Sequence, residues 1–221
     1  MSAPKRNWVV SGSPPTSVLD AYEVWNSSLG DLPARLLYSR GFNTPAEARQ
    51  FLNAGYADLS DPSLLPDIDK AASRLISAIE RGESIGIIGD FDVDGLTGAA
   101  LLLGSIESFG GKAIAFVPDR QIDGHGVPKT ALSSMYASGV SLIITADTGT
   151  SELESFEYAT DLGLDVIITD HHVIGNELPD VVALVNPHLG DDDSPAAGLT
   201  GAGVAFKLVQ TVGRKLGRGG A

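Results

Sequence analysis

The feature that most constrains the fold is a change of rhythm after Gly82. From there, short apolar runs alternate with segments of helical periodicity: Ile85–Ile88 then Leu96–Phe109, Ala113–Val117 then Lys129–Ser138, Leu142–Thr145 then Glu152–Leu162. Val166–Thr169 and Val181–Val185 complete the set of apolar runs. Strands that are apolar at nearly every position suit a sheet buried on both faces, and the intervening helices supply the cover. The pattern predicts βαβ units, hence an α/β fold with a parallel β-sheet and helices on both faces. A last helix fits Gly203 to Leu216.

The region before Gly82 reads differently. Residues 1–30 lack periodicity and hold Pro14, Pro15 and several serines, which predicts a flexible arm. Residues 31–82 form a small helical segment. Its first part, Leu32 to Ala54, reads as helical, with Pro45 following Thr44 as an N1 residue follows its cap. Asp58 to Pro66 is rich in turns. Asp67 then opens a helix in which Ile68, Ala71, Ala72, Leu75, Ile76 and Ile79 share a face, and Gly82 ends it. The α/β domain occupies 83–221.

Composition narrows the function classes. With 43% hydrophobic and 19% charged residues in 221, a sizeable core is available. No apolar run approaches the ~18 residues needed to span a bilayer, and the first fifteen residues lack the apolar stretch of a secretory signal. The absence of cysteine excludes disulfides and thiolate metal sites, and favours a cytoplasmic location. Net charge is 15 − 28 = −13. Such a chain is not expected to wrap nucleic acid with its whole surface. An acidic site that holds cations, which then meet a substrate phosphate, is compatible with it.

In open α/β sheets, ligands bind beyond the carboxyl ends of the strands. Three of those ends carry acids or imidazoles: Asp90, Asp92 and Asp94 in GDFDVDG, Asp147 in ADTG, and Asp170, His171 and His172 in TDHH. A single Asp after a strand usually caps a helix; seven such groups on neighbouring strands exceed what capping needs. Like charges brought so close call for protonation or a cation. D-x-D-x-D-G also begins a calcium loop, but Leu101 stands where that loop requires a bidentate Glu. Carboxylates mixed with imidazoles suit manganese, and magnesium somewhat less. Five or six ligands are too many for one ion with an open position. They suit a pair ~3.5–4 Å apart, the arrangement that hydrolyses phosphate esters. No G-x-S-x-G, P-loop or dinucleotide fingerprint competes.

GDFDVDGLTGAALL, ADTGTSE, TDHH and VNPH, in this order, resemble the successive motifs of the DHH phosphoesterase superfamily. Within it the chain is most similar to the RecJ-like exonucleases, which degrade single-stranded DNA from 5′ to 3′. LPARLLYSRGFNTPAEARQFL, PDRQIDGHGVPKTAL and LTGAGVAFKLVQ support that, from about Leu32 to about Val212. The resemblance implies two divalent cations, Mn2+ or Mg2+, bridged by Asp147. Asp92 with Asp90 would complete one site, and Asp94 with His171 would serve the other. His172 would face the scissile phosphate, and Asp170 would orient the imidazoles. The implied reaction releases 5′-mononucleotides in DNA repair and recombination, with replication and repair proteins as partners.

Further contacts are implied by position. Arg120 is a phosphate clamp, Gly124 and Gly126 allow close backbone approach, and His125 replaces the aromatic Tyr usual in the family. Asn186 is a loop organiser and substrate-side residue, and His188 a surface histidine. The family also has a later aspartate and C-terminal domains that do not occur before Ala221. The chain is therefore expected to be the N-terminal, catalytic portion of a longer enzyme, weak or inactive alone. Two alternatives stand beside this: a DHH hydrolase of short oligonucleotides or other small phosphoesters, and a DHH-fold binding module without chemistry.

Overall fold

The computed structural model describes residues 14–21, 30–191 and 193–218. It divides into two compact units, Met1–Leu59 and Ser60–Ala221. The first contains α1 (Thr16–Ala21), α2 (Leu32–Ser39) and α3 (Pro45–Leu52). Helix α1 lies within the arm expected over 1–30; most other residues of that arm fall outside the described ones. The single helical pattern expected from Leu32 to Ala54 is two helices, because Gly41 turns the chain at φ 91°. Thr44 then starts α3 with a capping box: its Oγ1 accepts from the Glu47 N–H, and its own N–H donates to Glu47 Oε2. Ala34, Leu37 and Ala48 form this unit's small core.

In the second unit the elements follow as α4 (Ile68–Arg81), β1 (Ser84–Gly89), α5 (Val93–Ser108), β2 (Lys112–Phe116), α6 (Lys129–Ala137) and β3 (Val140–Ala146). They continue with α7 (Leu153–Asp161), β4 (Asp165–Thr169), β5 (Ala183–Val185) and α8 (Gly201–Lys215). Every strand pairing is parallel, in the order β2-β1-β3-β4-β5. This is a doubly wound sheet whose strand order reverses between β1 and β3, where such folds open a ligand crevice.

Side-chain alternation explains the two covered faces. Ile85, Ile87, Leu142, Ile144 and Ile167 join residues of α4, α5 and α8 in one core. Ile88, Ile143, Val166 and Ile168 join residues of α6 and α7 in the other. Gly86 lets α6 lie directly on β1: a Cβ there would fall 2.6 Å from Met135 Sδ. At the outer edge, the Leu184 N–H donates to Asp67 Oδ2, which gives one edge amide a partner. Among the described residues no helix is long and apolar enough to cross a membrane.

Two helices start earlier than the periodicity suggested. Helix α5 begins at Val93 because Asp92 caps it, accepting from the N–H groups of Asp94 and Gly95. Helix α8 begins at Gly201, capped by Thr200. Both shifts matter, since they put Asp94 and Gly201 in first turns that face the same place.

Candidate metal centre

The sheet carries its hydrogen bonding one residue past the carboxyl edge. The N–H groups of Asp90, Asp147 and Asp170 donate to the carbonyls of Ala146, Thr169 and Val185. Each strand thus delivers an aspartate at the same level, beside the β1/β3 switch point. Asp147 turns sharply there, with φ 62°, a conformation Asp and Asn tolerate better than bulkier residues.

Two groups of ligand atoms result. One oxygen each of Asp90, Asp92 and Asp147 lie within 4.8 Å of one another, as do one ligand atom each of Asp147, His171 and His172. Asp147 belongs to both. His171 Nε2 lies 3.1 Å from Asp147 Oδ1 and 3.7 Å from Asp94 Oδ2. Asp147 Oδ1 and Asp90 Oδ1 are nevertheless buried and accept no hydrogen bond. Such orphaned oxygens are costly, and their placement fits a cation between them.

The electrostatics agree. Burial pushes the Asp147 carboxyl up to about 7, and the neighbouring Asp94 and Asp92 charges push the same way. Burial alone would raise Asp170 too. Its Oδ2 accepts from the Thr150 N–H, and its Oδ1 accepts from the N–H groups of His171 and His172; Thr150 and His172 together hold it below the usual carboxylate value. An ionised Asp170 must accept, so the His172 Nδ1–H donates across their 2.7 Å contact. Burial works against the His172 cation, but Asp170, Asp147 and Asp90 outweigh it and raise its pKa.

The remaining expected residues sort clearly. Asp94, expected as a ligand beside His171, has both oxygens engaged by α8: Oδ2 accepts from the Gly201 N–H at 2.8 Å and Oδ1 from the Ala202 N–H at 2.9 Å. It lies outside both close ligand groups. Asn186, expected on the substrate side, is fully buried. Its Nδ2 donates to Thr150 Oγ1 and the His172 carbonyl, and its Oδ1 accepts from the His188 N–H. Asn186 therefore shapes the loop without reaching the cleft. Gly126, expected to admit a nucleotide, lines the cleft, and Glu152 Oε1 lies 2.3 Å from where its Cβ would stand. Gly124, at φ 75°, faces open space.

Arg120 and His125 are exposed and share a neighbour. The Arg120 guanidinium sits 5.4 Å from the Phe91 ring centre, and the His125 ring centre 4.5 Å from it. An open cleft of about 450 Å³ joins His125, Gly126, Asp90, Asp147, Asp170 and His172, with Thr150, Glu152 and Val173 also on its wall. The sequence reading missed Phe91, Thr150 and Glu152. All three lie within the GDFDVDG and ADTGTSE motifs, but Phe91 and Thr150 are not metal-ligand types, and Glu152 follows the strand end at a distance that gave no signal.

A doubly wound sheet with an acid–imidazole cluster at its switch point defines an α/β domain whose side chains could hold metal ions. The model of the DHH family, N-terminal domain, matches residues 84–219, and the chain belongs to that family. The single-stranded-DNA-specific exonuclease RecJ of Bacillus subtilis is 42% identical over 181 residues, covering 82% of this chain and 23% of that protein. Its counterpart in Escherichia coli is 37% identical, over 81% of this chain and 32% of that protein. The chain thus spans about a quarter to a third of the length of these relatives. A manganese-bound RecJ crystal structure superposes with a TM-score of 0.64 at 33% identity, covering 69% of this chain and 39% of the other. The Mn2+ complex of RecJ from Thermus thermophilus gives 0.70 at 28% identity, covering 93% and 28%.

Proposed function

We propose that this chain is the catalytic portion of a RecJ-type exonuclease that hydrolyses single-stranded DNA from the 5′ end with two divalent cations, serving DNA repair and recombination. The observation that carries the reading is the pair of ligand groups sharing Asp147, with two buried carboxylate oxygens that accept no hydrogen bond. The relatives' names and the manganese in their crystal structures support the substrate and the metal.

Asp90, Asp92 and Asp147 would hold one cation, and Asp147 with His171 the other. When bound, the pair would lower the pKa of a water and stabilise negative charge on the phosphodiester oxygens. Asp170 keeps a proton on His172 Nδ1 and fixes the ring, and with Asp147 and Asp90 it favours the imidazolium, whose Nε2–H would donate to a phosphate oxygen in the cleft that His172 lines. Asn186 and Thr150 hold the loop that carries both imidazoles. Arg120, supported by Phe91, would grip a phosphate at the rim. Beside it, His125 would present its ring to the substrate.

An end-labelled single-stranded oligonucleotide incubated with this chain and Mn2+ tests the proposal, with Asp147→Asn as the blank. The expected result is slow, metal-dependent release of mononucleotides from the 5′ end, less on duplex, and none with the blank. Release from the 3′ end, or hydrolysis confined to dinucleotides and other small phosphoesters, would overturn it in favour of a small-substrate hydrolase.

A further inference from the structure

The amino end of α8 meets the metal centre at two points. Successive N–H groups, those of Gly201 and Ala202, donate to the two oxygens of Asp94. These are amides that a helix leaves without an internal partner, and their positive end favours a carboxylate. Gly201 also lies against Asp147: a Cβ at Gly201 would fall 2.4 Å from both Cβ and Oδ1 of Asp147. Gly98 completes the approach, since a Cβ there would stand 3.2 Å from Ala146 Cβ and 3.5 Å from Ala202 Cα. The end of β3, the start of α5 and the start of α8 converge because these two positions carry no side chain.

We infer that the first turn of α8 is a positioning element of the metal centre, with Gly201 as its central residue. Its amide and that of Ala202 set the orientation of Asp94, and its missing side chain gives the Asp147 carboxylate its place. The inference rests on the two-cation reading above and extends it to a helix that supplies no ligand. The Asp94 carboxylate joins α5 to α8, so a shift of α8 moves the acids on both sides of the switch point.

Gly201→Ala tests this in the whole 221-residue chain. Gly104→Ala is the control, because a Cβ at Gly104 on α5 would meet nothing within 4 Å. Manganese binding by calorimetry should weaken about tenfold or more in Gly201→Ala, the size seen when the support of a ligand is removed, and remain unchanged in the control. The electron paramagnetic resonance spectrum of bound Mn2+ should also change shape, which a loss of packing remote from the ions would not produce. Wild-type affinity and spectrum in a folded Gly201→Ala overturn the inference.

A metal-free measurement keeps the test decisive should that variant not fold. Hydrogen exchange at the Gly201 and Ala202 amides should accelerate in Asp94→Ala relative to wild type. Exchange there that is indifferent to Asp94 overturns the inference. Failure of the wild-type chain to bind Mn2+ would instead overturn the two-cation proposal and this inference with it, whereas Mn2+ binding with exchange indifferent to Asp94 would overturn the inference alone.

Discussion

Asp147 combines three features that seldom coincide: a left-handed backbone, burial, and a carboxylate oxygen with no hydrogen-bond donor. Its carboxyl is pushed up to about 7, whereas in the unfolded chain it titrates near 3.8. Between those values the folded protein holds a proton that the unfolded chain has released. The stability contributed by that proton therefore falls as pH rises from 3.8 to about 7. Asn keeps the shape and tolerates the left-handed turn while removing the charge. Metal-free Asp147→Asn should accordingly melt several degrees above wild type at pH 8, and the gap should close toward pH 4. The same variant should lose the rise in melting temperature that Mn2+ gives the wild type. Thermal unfolding with and without the ion at the two pH values checks both.

At the scale of elements, the ends of β1, β3 and β4 each deliver one aspartate, and the starts of α5 and α8 engage Asp92 and Asp94. The opposite edge of the sheet is tied by charge. Arg74 on α4 donates to Glu83 and to Asp165, each at 2.6 Å, and the Ser141 hydroxyl donates to Glu83 as well. Burial would raise Glu83, but Arg74 and Ser141 outweigh it and hold its pKa below the ordinary 4.5. A depressed acid contributes stability above its unfolded pKa and loses it as pH falls through the folded value. Arg74→Ala should cost about 1–3 kcal/mol at neutral pH, and the deficit should shrink in acid below 4.5. Urea unfolding at several pH values reads it.

Much of this was legible in the chain. Unbroken apolar runs such as Ile85–Ile88 announced strands buried on both faces, and GDFDVDG and TDHH placed acids and imidazoles at their ends. The tertiary roles of single residues were not legible. Asp94 looks like Asp92 in sequence; α8, more than a hundred residues later, gives it two donors. Asn186 read as a loop organiser, but its partners, the His172 carbonyl and Thr150, could not be named from the sequence. That Glu152, from a different loop, stands beside Gly126 on the cleft wall was not legible either.

For the whole molecule, the balance of charge is the governing fact. A net charge of −13 repels a polyanion, and the acids of the cleft add to that repulsion. Cations bound there would reverse the sign where a phosphate must arrive, so metal loading and substrate binding should rise together. The relatives devote more than two thirds of their length to sequence outside the matched region. The proposed slow activity follows, because a 221-residue chain with 15 lysines and arginines against 28 aspartates and glutamates presents few basic groups along which to hold a strand. The most direct measurement is anomalous diffraction at the manganese edge from crystals of this chain grown with Mn2+. Two peaks are expected, one on each side of the Asp147 carboxylate, one facing Asp90 and Asp92 and the other His171. A single peak away from Asp147, or none, would contradict a centre built on that shared carboxylate.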